Sequence, residues 1–319
     1  SKEDMEIKGD NISLAHHIKY TSVVLLCGLP GSGKSTVARQ LIASNSRCKH
    51  EDKEVTSLYD KVVLIDYDAI AEEELVRSTT TNGHLHTSNE STSNDQGHTC
   101  DNTVFDSTSL DAWRKSRMTA LNVLNNTLRT HFSKIDGLSN RHQSLLVIID
   151  DNFHLRSMRR EVYRVCQDVL ASNKNNCTVN VNATNNSEHQ PTIGYATIHV
   201  STPLDICLER NRLRTGKRCI PEEVITRMDM VMEPPDDTKA CASFERFHTT
   251  IDNSSDSDKS GIDNTILQQI VECIHASLQS PITPKDEMTP EQLAEVEAEN
   301  ARQREKTLKC QVQRIDQLL

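Results

Sequence analysis

The run Gly28-Leu29-Pro30-Gly31-Ser32-Gly33-Lys34-Ser35-Thr36 has the residue types and spacing needed to surround phosphate. Its glycines let successive backbone N–H groups turn inward around phosphate oxygens beside a helix N-terminus. Lys34 adds a point charge for the β- and γ-phosphates of a nucleotide. The Ser35 hydroxyl is placed to ligate the Mg²⁺ that bridges them. The chemistry is binding and transfer of a phosphoryl group, with ATP and Mg²⁺ as the expected cofactors.

Four further groups of residues fit that chemistry. Asp150 ends the apolar run Leu145 to Ile149, where an acidic partner of hydrated Mg²⁺ belongs, and Asp151 adjoins it. Asp66 and Asp68 end a second apolar run, Val62 to Ile65. Either can accept the proton of an attacking hydroxyl, and Asp68 is the preferred of the two. Arg210, Arg212 and Arg214, with Lys217 and Arg218, outnumber the neighbouring Glu209, as in kinase lids whose guanidinium forks clamp a phosphoryl group. Arg156, Arg160 and Arg164 stand four apart on one helix, and Lys115 and Arg117 begin another. Such rows can track nucleic-acid phosphates or simply face water.

The elements that must position these residues follow from periodicity. The phosphate-binding loop lies between the strand Val23 to Cys27 and a helix with Val37, Ala38, Leu41 and Ile42 at helical spacing. Further strands are expected at 61–66, 145–149, 194–200 and 248–251. Helices are expected at 109–132, 155–171, 204–212, 221–232 and 264–278. The continuous apolar run at 145–149 marks a strand buried on both faces of a parallel sheet. The alternation predicts a three-layer α/β fold of the phosphate-loop kinase type, with a mostly parallel five-stranded sheet and right-handed crossovers. This kinase domain spans 18–280, with polar insertions at about 78–103 and 173–190. A segment from 285 to 319 opens with a capping box at Thr289-Pro290-Glu291-Gln292. It ends on an apolar stripe, Leu308, Val312, Ile315 and Leu319, that either pairs with another chain as a homodimer or begins an incomplete helical domain.

Composition sets bounds on the partners. Hydrophobic residues make up 35% of the 319, so part of the chain must lie outside the core. A formal charge of −10 excludes a protein that is basic all over, though a polyanion site needs only a local positive field. Ten cysteines occur without a C-x-x-C pair, and no apolar stretch reaches membrane length. A reduced, cytoplasmic protein without a membrane partner is the expectation.

Several of these residues together suggest a family. The glycine loop, Tyr67-Asp68, Trp113-Arg114 with Arg117, and Arg210-Asn211 with Arg214 form one set. With them goes Asp150-Asp151-Asn152-Phe153, followed by Ser157-Met158-Arg159-Arg160-Glu161-Val162-Tyr163. Over about residues 22 to 250 the chain resembles the L-seryl-tRNA(Sec) kinases, which phosphorylate the seryl group of serine-charged tRNA(Sec) in selenocysteine synthesis. The resemblance implies that Lys34 and Ser35 hold ATP and Mg²⁺, that Asp68 is the base, and that Arg210 and Arg214 belong to the lid. It further implies that a C-terminal helical segment engages the tRNA. The chain departs from that pattern at Ala71, where some members carry an arginine. A related Elongator-associated accessory protein, a tRNA-responsive ATPase and assembly factor, shares the loop and the Arg-Glu-Val-Tyr type of helix and is the alternative.

Overall fold

Alternate residues of Val23 to Cys27 are apolar on both sides, and each face of the strand is covered by helices. Val23, Leu25 and Cys27 join Leu145, Val147 and Ile149 in one core, and Val24 and Leu26 join Leu146, Ile148 and Ile198 in the other. The computed structural model describes residues 20–47, 59–81, 107–133, 144–178, 191–215, 219–236, 238, 244–254 and 263–284. It also describes scattered helical positions between 291 and 305. The elements run β1 (Thr21–Cys27), α1 (Lys34–Arg47), β2 (Lys61–Asp66), α2 (Tyr67–Thr81), α3 (Ser107–Ser133), β3 (Leu145–Asp150) and α4 (Arg156–Thr178). They continue with β4 (Gly194–Ser201), α5 (Leu204–Arg212), α6 (Glu222–Met230), β5 (His248–Asp252) and α7 (Asn264–Gln279).

The strands form a parallel sheet in the order β2-β3-β1-β4-β5, so the expected five-stranded α/β fold is present. On one face Leu124 and Leu128 of α3 pack with Met158, Val162 and Val169 of α4. On the other, Val37, Ala38 and Leu41 of α1 pack near Ile270 and Ile274 of α7. Register matters for the site. Asp66 of β2 and Leu26 of β1 both align with Asp150 of β3, so the glycine loop and two carboxylates emerge at one sheet edge. Open α/β sheets bind ligands at that carboxyl edge.

Several boundaries differ from expectation. The stretch after β2 is helix α2, which reaches Thr81 and takes up the first residues of the expected insertion at 78–103. Likewise α4 runs on to Thr178, through the first residues of the expected insertion at 173–190. The remainder of both insertions and the stripe Leu308 to Leu319 lie outside the described residues. Cys27, Cys166, Cys207 and Cys273 are free thiols, whereas Cys219 is disulfide-bonded, so the all-reduced expectation fails there. Among the described residues no helix is long and apolar enough to cross a membrane.

Candidate functional site

The glycine loop adopts backbone angles that its sequence requires. Gly31 has φ +87°, and a Cβ there would collide with the Cys207 carbonyl oxygen of α5, so only glycine fits. Ser32 is buried, and its carbonyl oxygen accepts from Thr202 Oγ1 (3.0 Å) and Asn253 Nδ2 (2.7 Å). These bonds tie the loop to the ends of β4 and β5. Lys34 lies folded into the loop, its Nζ donating to the carbonyls of Gly28 (3.1 Å) and Leu29 (2.8 Å) and to Asn152 Oδ1 (3.1 Å). Burial lowers its proton affinity, opposed by the carboxylates of Asp150, Asp151 and Asp68. The Gly28 N–H donates to the Asn152 carbonyl (2.9 Å), so Asn152 grips the loop through backbone and side chain.

A cleft of about 220 Å³ opens over this loop, lined by Lys34, Ser35, Thr36, Asp68, Asp150, Asp151, Asn152, Arg210 and Arg214, among others. Ser35 donates a hydrogen bond to the buried Asp150 carboxylate, and burial pushes that carboxyl above its ordinary range against the pull of Lys34. The oxygen donors of Ser35 and Asp150 suit Mg²⁺, a hard cation that takes its remaining ligands from phosphates and water. Among the described residues no group of three or more His, Cys, Asp or Glu side chains could hold a metal on its own. Asp66 and Asp68 separate clearly. Asp66 Oδ1 accepts from the N–H groups of Asp68 (3.0 Å) and Ala69 (3.2 Å), capping α2, whereas Asp68 lines the cleft.

The arginines expected to form a lid divide as well. Arg210 and Arg214 line the cleft, and Arg210 Nη1 donates to the Asn253 carbonyl (3.1 Å). Arg212 instead forms a two-point pair with Glu222 of α6 (2.6 and 3.1 Å). Lys217 and Arg218 lie outside the described residues.

The row on α4 is not one surface. Arg156 is buried, its Nε 2.9 Å from Glu245 Oε2, which corrects its assignment to a nucleic-acid face. Arg160 lies over the Phe244 ring at 5.3 Å, and Arg164 is exposed. On α3 Lys115 is exposed, while Arg117 pairs with Glu161 at 2.7 Å.

Sequence reasoning missed several residues. Thr202 and Asn253 each hold the loop through a single side-chain atom, and nothing in their spacing marks them, whereas Asn152 stood in the Asp150-Asp151-Asn152-Phe153 run without a role of its own. Arg39, one turn into α1, lines the cleft and donates to the Ser35 carbonyl (3.1 Å) and to Thr36 Oγ1 (3.2 Å). Its place five residues after Lys34 was the available clue.

With this geometry in view, comparison with known proteins decides the family. The description "Chromatin associated protein KTI12" matches residues 22–317. The chain belongs to that family. This overturns the resemblance to the L-seryl-tRNA(Sec) kinases, whose shared phosphate loop and Arg-Glu-Val-Tyr type of helix do not separate the two groups. The KTI12 membership favours the Elongator-associated alternative. Among solved structures the chain is similar to an APS kinase, CysC, from Mycobacterium tuberculosis in complex with AMPPNP and APS. There the identity is 14% and the TM-score 0.36, covering 81% of this chain and 99% of the other. A sugar kinase from Janibacter sp. HTCC2649 shows 11% identity and TM-score 0.34, covering 82% and 94%. A protein designated APE1195 shows 18% and 0.37, covering 82% and 98%. At such distances none bears on function. No curated protein matches. Family and fold make this chain a phosphate-loop NTPase.

Proposed function

We propose that this KTI12-family chain hydrolyses ATP in the cleft over the glycine loop and acts as a tRNA-responsive accessory factor working with the Elongator complex. The observation that carries the reading is the convergence of Lys34, the Ser35–Asp150 pair, Asp68, Arg210 and Arg214 on one cleft, in a chain of this family. In this reading the loop N–H groups surround the phosphates and Lys34 leaves its carbonyl partners for the β- and γ-phosphate oxygens. Ser35 and Asp150 would hold Mg²⁺, which would supply charge neutralisation at the phosphate oxygens. Asp68 orients the attacking water and accepts its proton, and Arg210 and Arg214 stabilise charge on the phosphoryl group in flight. In this reading the exposed side chains of Lys115 and Arg164 face the tRNA.

The test is phosphate release from ATP with and without tRNA, in wild type and in Lys34→Ala. Turnover that rises with tRNA and vanishes in Lys34→Ala supports the reading. A folded wild-type protein releasing no phosphate under either condition overturns it, and turnover indifferent to tRNA removes the tRNA part.

A further inference from the structure

Behind the cleft, and absent from its lining, lies a buried charged cluster. Glu245 is fully buried and pairs with two arginines of α4, Arg159 through Nε (2.5 Å) and Arg156 through Nε (2.9 Å). Arg159, itself fully buried, turns Nη1 onto the Phe153 carbonyl at 2.7 Å. Tyr195 of β4 donates its hydroxyl to the Arg159 carbonyl at 2.9 Å, fixing that turn of helix. Phe153 is the one non-glycine residue with positive φ (+43°) among the described residues, a conformation that holds only where its surroundings enforce it. The residue before it is Asn152, which grips both Lys34 and the Gly28 N–H.

Burying two guanidiniums around one carboxylate is an expensive way to fill space. Apolar side chains of similar volume often stabilise a core as well or better, so what such a cluster offers is fixed geometry. Here the fixed geometry lies one residue from Asn152, which holds the phosphate loop. The planar guanidinium of Arg159 reaches a carboxylate and a carbonyl at once, which a lysine ammonium on a single stem does not reproduce.

We propose that Glu245 is a positioning residue of the nucleotide site: it aims Arg159 at the Phe153 carbonyl, which sets the Asn152 amide against Lys34 and the glycine loop. The proposal deepens the nucleotide-cleft reading and rests on it. It assigns to a carboxylate outside the cleft an effect on nucleotide affinity that runs through Asn152 alone. Arg156 shares Glu245 through the other carboxylate oxygen, Oε2, and it is Arg159 that bonds the Phe153 carbonyl, so Arg156 anchors the cluster without aiming the loop.

The experiment is a double-mutant cycle between Glu245→Gln and Asn152→Ala, read as the Kd of the full chain for a fluorescent ATP analogue with Mg²⁺. Loss of the charge-assisted alignment should raise Kd by about 10- to 100-fold in Glu245→Gln. In the Asn152→Ala background the same change should alter Kd by less than about threefold, because the coupled residue is gone. Should Glu245→Gln fail to fold, Arg159→Lys enters the same cycle with the same expectation. Arg156→Gln should lower Tm while leaving Kd within about threefold of wild type. Effects of Glu245 and Asn152 that simply multiply overturn the proposal, as do equal rises in Kd from Arg156→Gln and Arg159→Lys, which would mark a merely structural cluster. A folded wild-type chain that binds no nucleotide overturns the cleft reading and the proposal with it, whereas nucleotide binding with multiplying effects overturns the proposal alone.

Discussion

Asp151→Asn should make the ligand-free protein more stable at neutral pH. Asp151 Oδ2 is buried and lacks a hydrogen-bond partner among the described residues, and burial holds the carboxyl at about 6 instead of its ordinary 3.8. The Asn152 N–H, Lys34 and Arg117 pull it down, and Asp68 pushes it up. Because the folded value lies above the unfolded one, the fold favours the neutral acid. The charge therefore costs stability at every pH above about 6, and the cost is relieved as pH falls from there towards 4. A rise from 3.8 to about 6, at about 1.4 kcal/mol for each tenfold in proton affinity, sets an upper bound of about 3 kcal/mol. Asparagine keeps the acceptor for the Asn152 N–H and removes the charge, so a gain of about 1–3 kcal/mol at pH 7.5 is expected, roughly 2–10 °C in Tm. The assay is denaturant unfolding of both proteins in EDTA at pH 7.5 and pH 4. The gain should shrink towards zero at the lower pH. A variant no more stable than wild type at pH 7.5, or equally favoured at both pH values, would refute the reasoning.

Other changes test separate parts of the site. Asp68→Asn should lower kcat for ATP hydrolysis by about 10²- to 10⁴-fold with nucleotide affinity nearly kept, whereas Asp66→Ala should cost about 0.5–2 kcal/mol of stability as a lost cap while retaining kcat; the opposite pattern would exchange their roles. Gly31→Ala, forced against the Cys207 carbonyl at positive φ, should lose about 2 kcal/mol or more, on the order of a strained-backbone substitution, and should also abolish nucleotide binding. An unaltered melting curve would count against the loop geometry. For tRNA, Lys115→Gln with Arg164→Gln should flatten the plot of log K against log salt by about 0.9 for each phosphate no longer neutralised, while Arg156→Gln leaves the slope unchanged. A slope that responds to Arg156 and ignores the other two would place Arg156 back on a nucleic-acid face despite its burial.

What the sequence disclosed was decided by how local each determinant is. The glycine loop, the apolar runs of β1 and β3 and the Asp150 strand end are contiguous, so their pattern carries the structure with it. The failure at Arg156 has a geometric cause. Residues four apart advance about 400° around a helix, so a row with that spacing drifts about 40° per step. Between Arg156 and Arg164 the drift is about 80°, enough to take one guanidinium into the protein and leave the other in water. Spacing alone made them one face. The insertions were misjudged at their edges because composition measures burial, while a helix already under way continues through its own backbone bonds, as α4 does to Thr178. Glu245 was invisible because its partners lie 86 and 89 residues away in sequence.

The ligand-free arrangement of Lys34 ties these observations together. Its Nζ is already satisfied by two loop carbonyls and by Asn152, so a nucleotide gains only the difference between phosphate oxygens and those partners. The same cleft wall carries Asp68, Asp150 and Asp151, which repel a bare polyphosphate. Burial already holds Asp150 and Asp151 above their ordinary range, so neither charge is comfortable in the empty cleft. A nucleotide arriving with its cation relieves the carboxylates at the moment Lys34 changes partners, and each step lowers the cost of the other. Asn152 stands where the two meet, bonded to Lys34 on one side and one residue from Asp151 on the other. A small displacement of the loop at 152–153 would therefore disturb both at once, which is why a buried clamp on the Phe153 carbonyl can matter at a cleft it never touches.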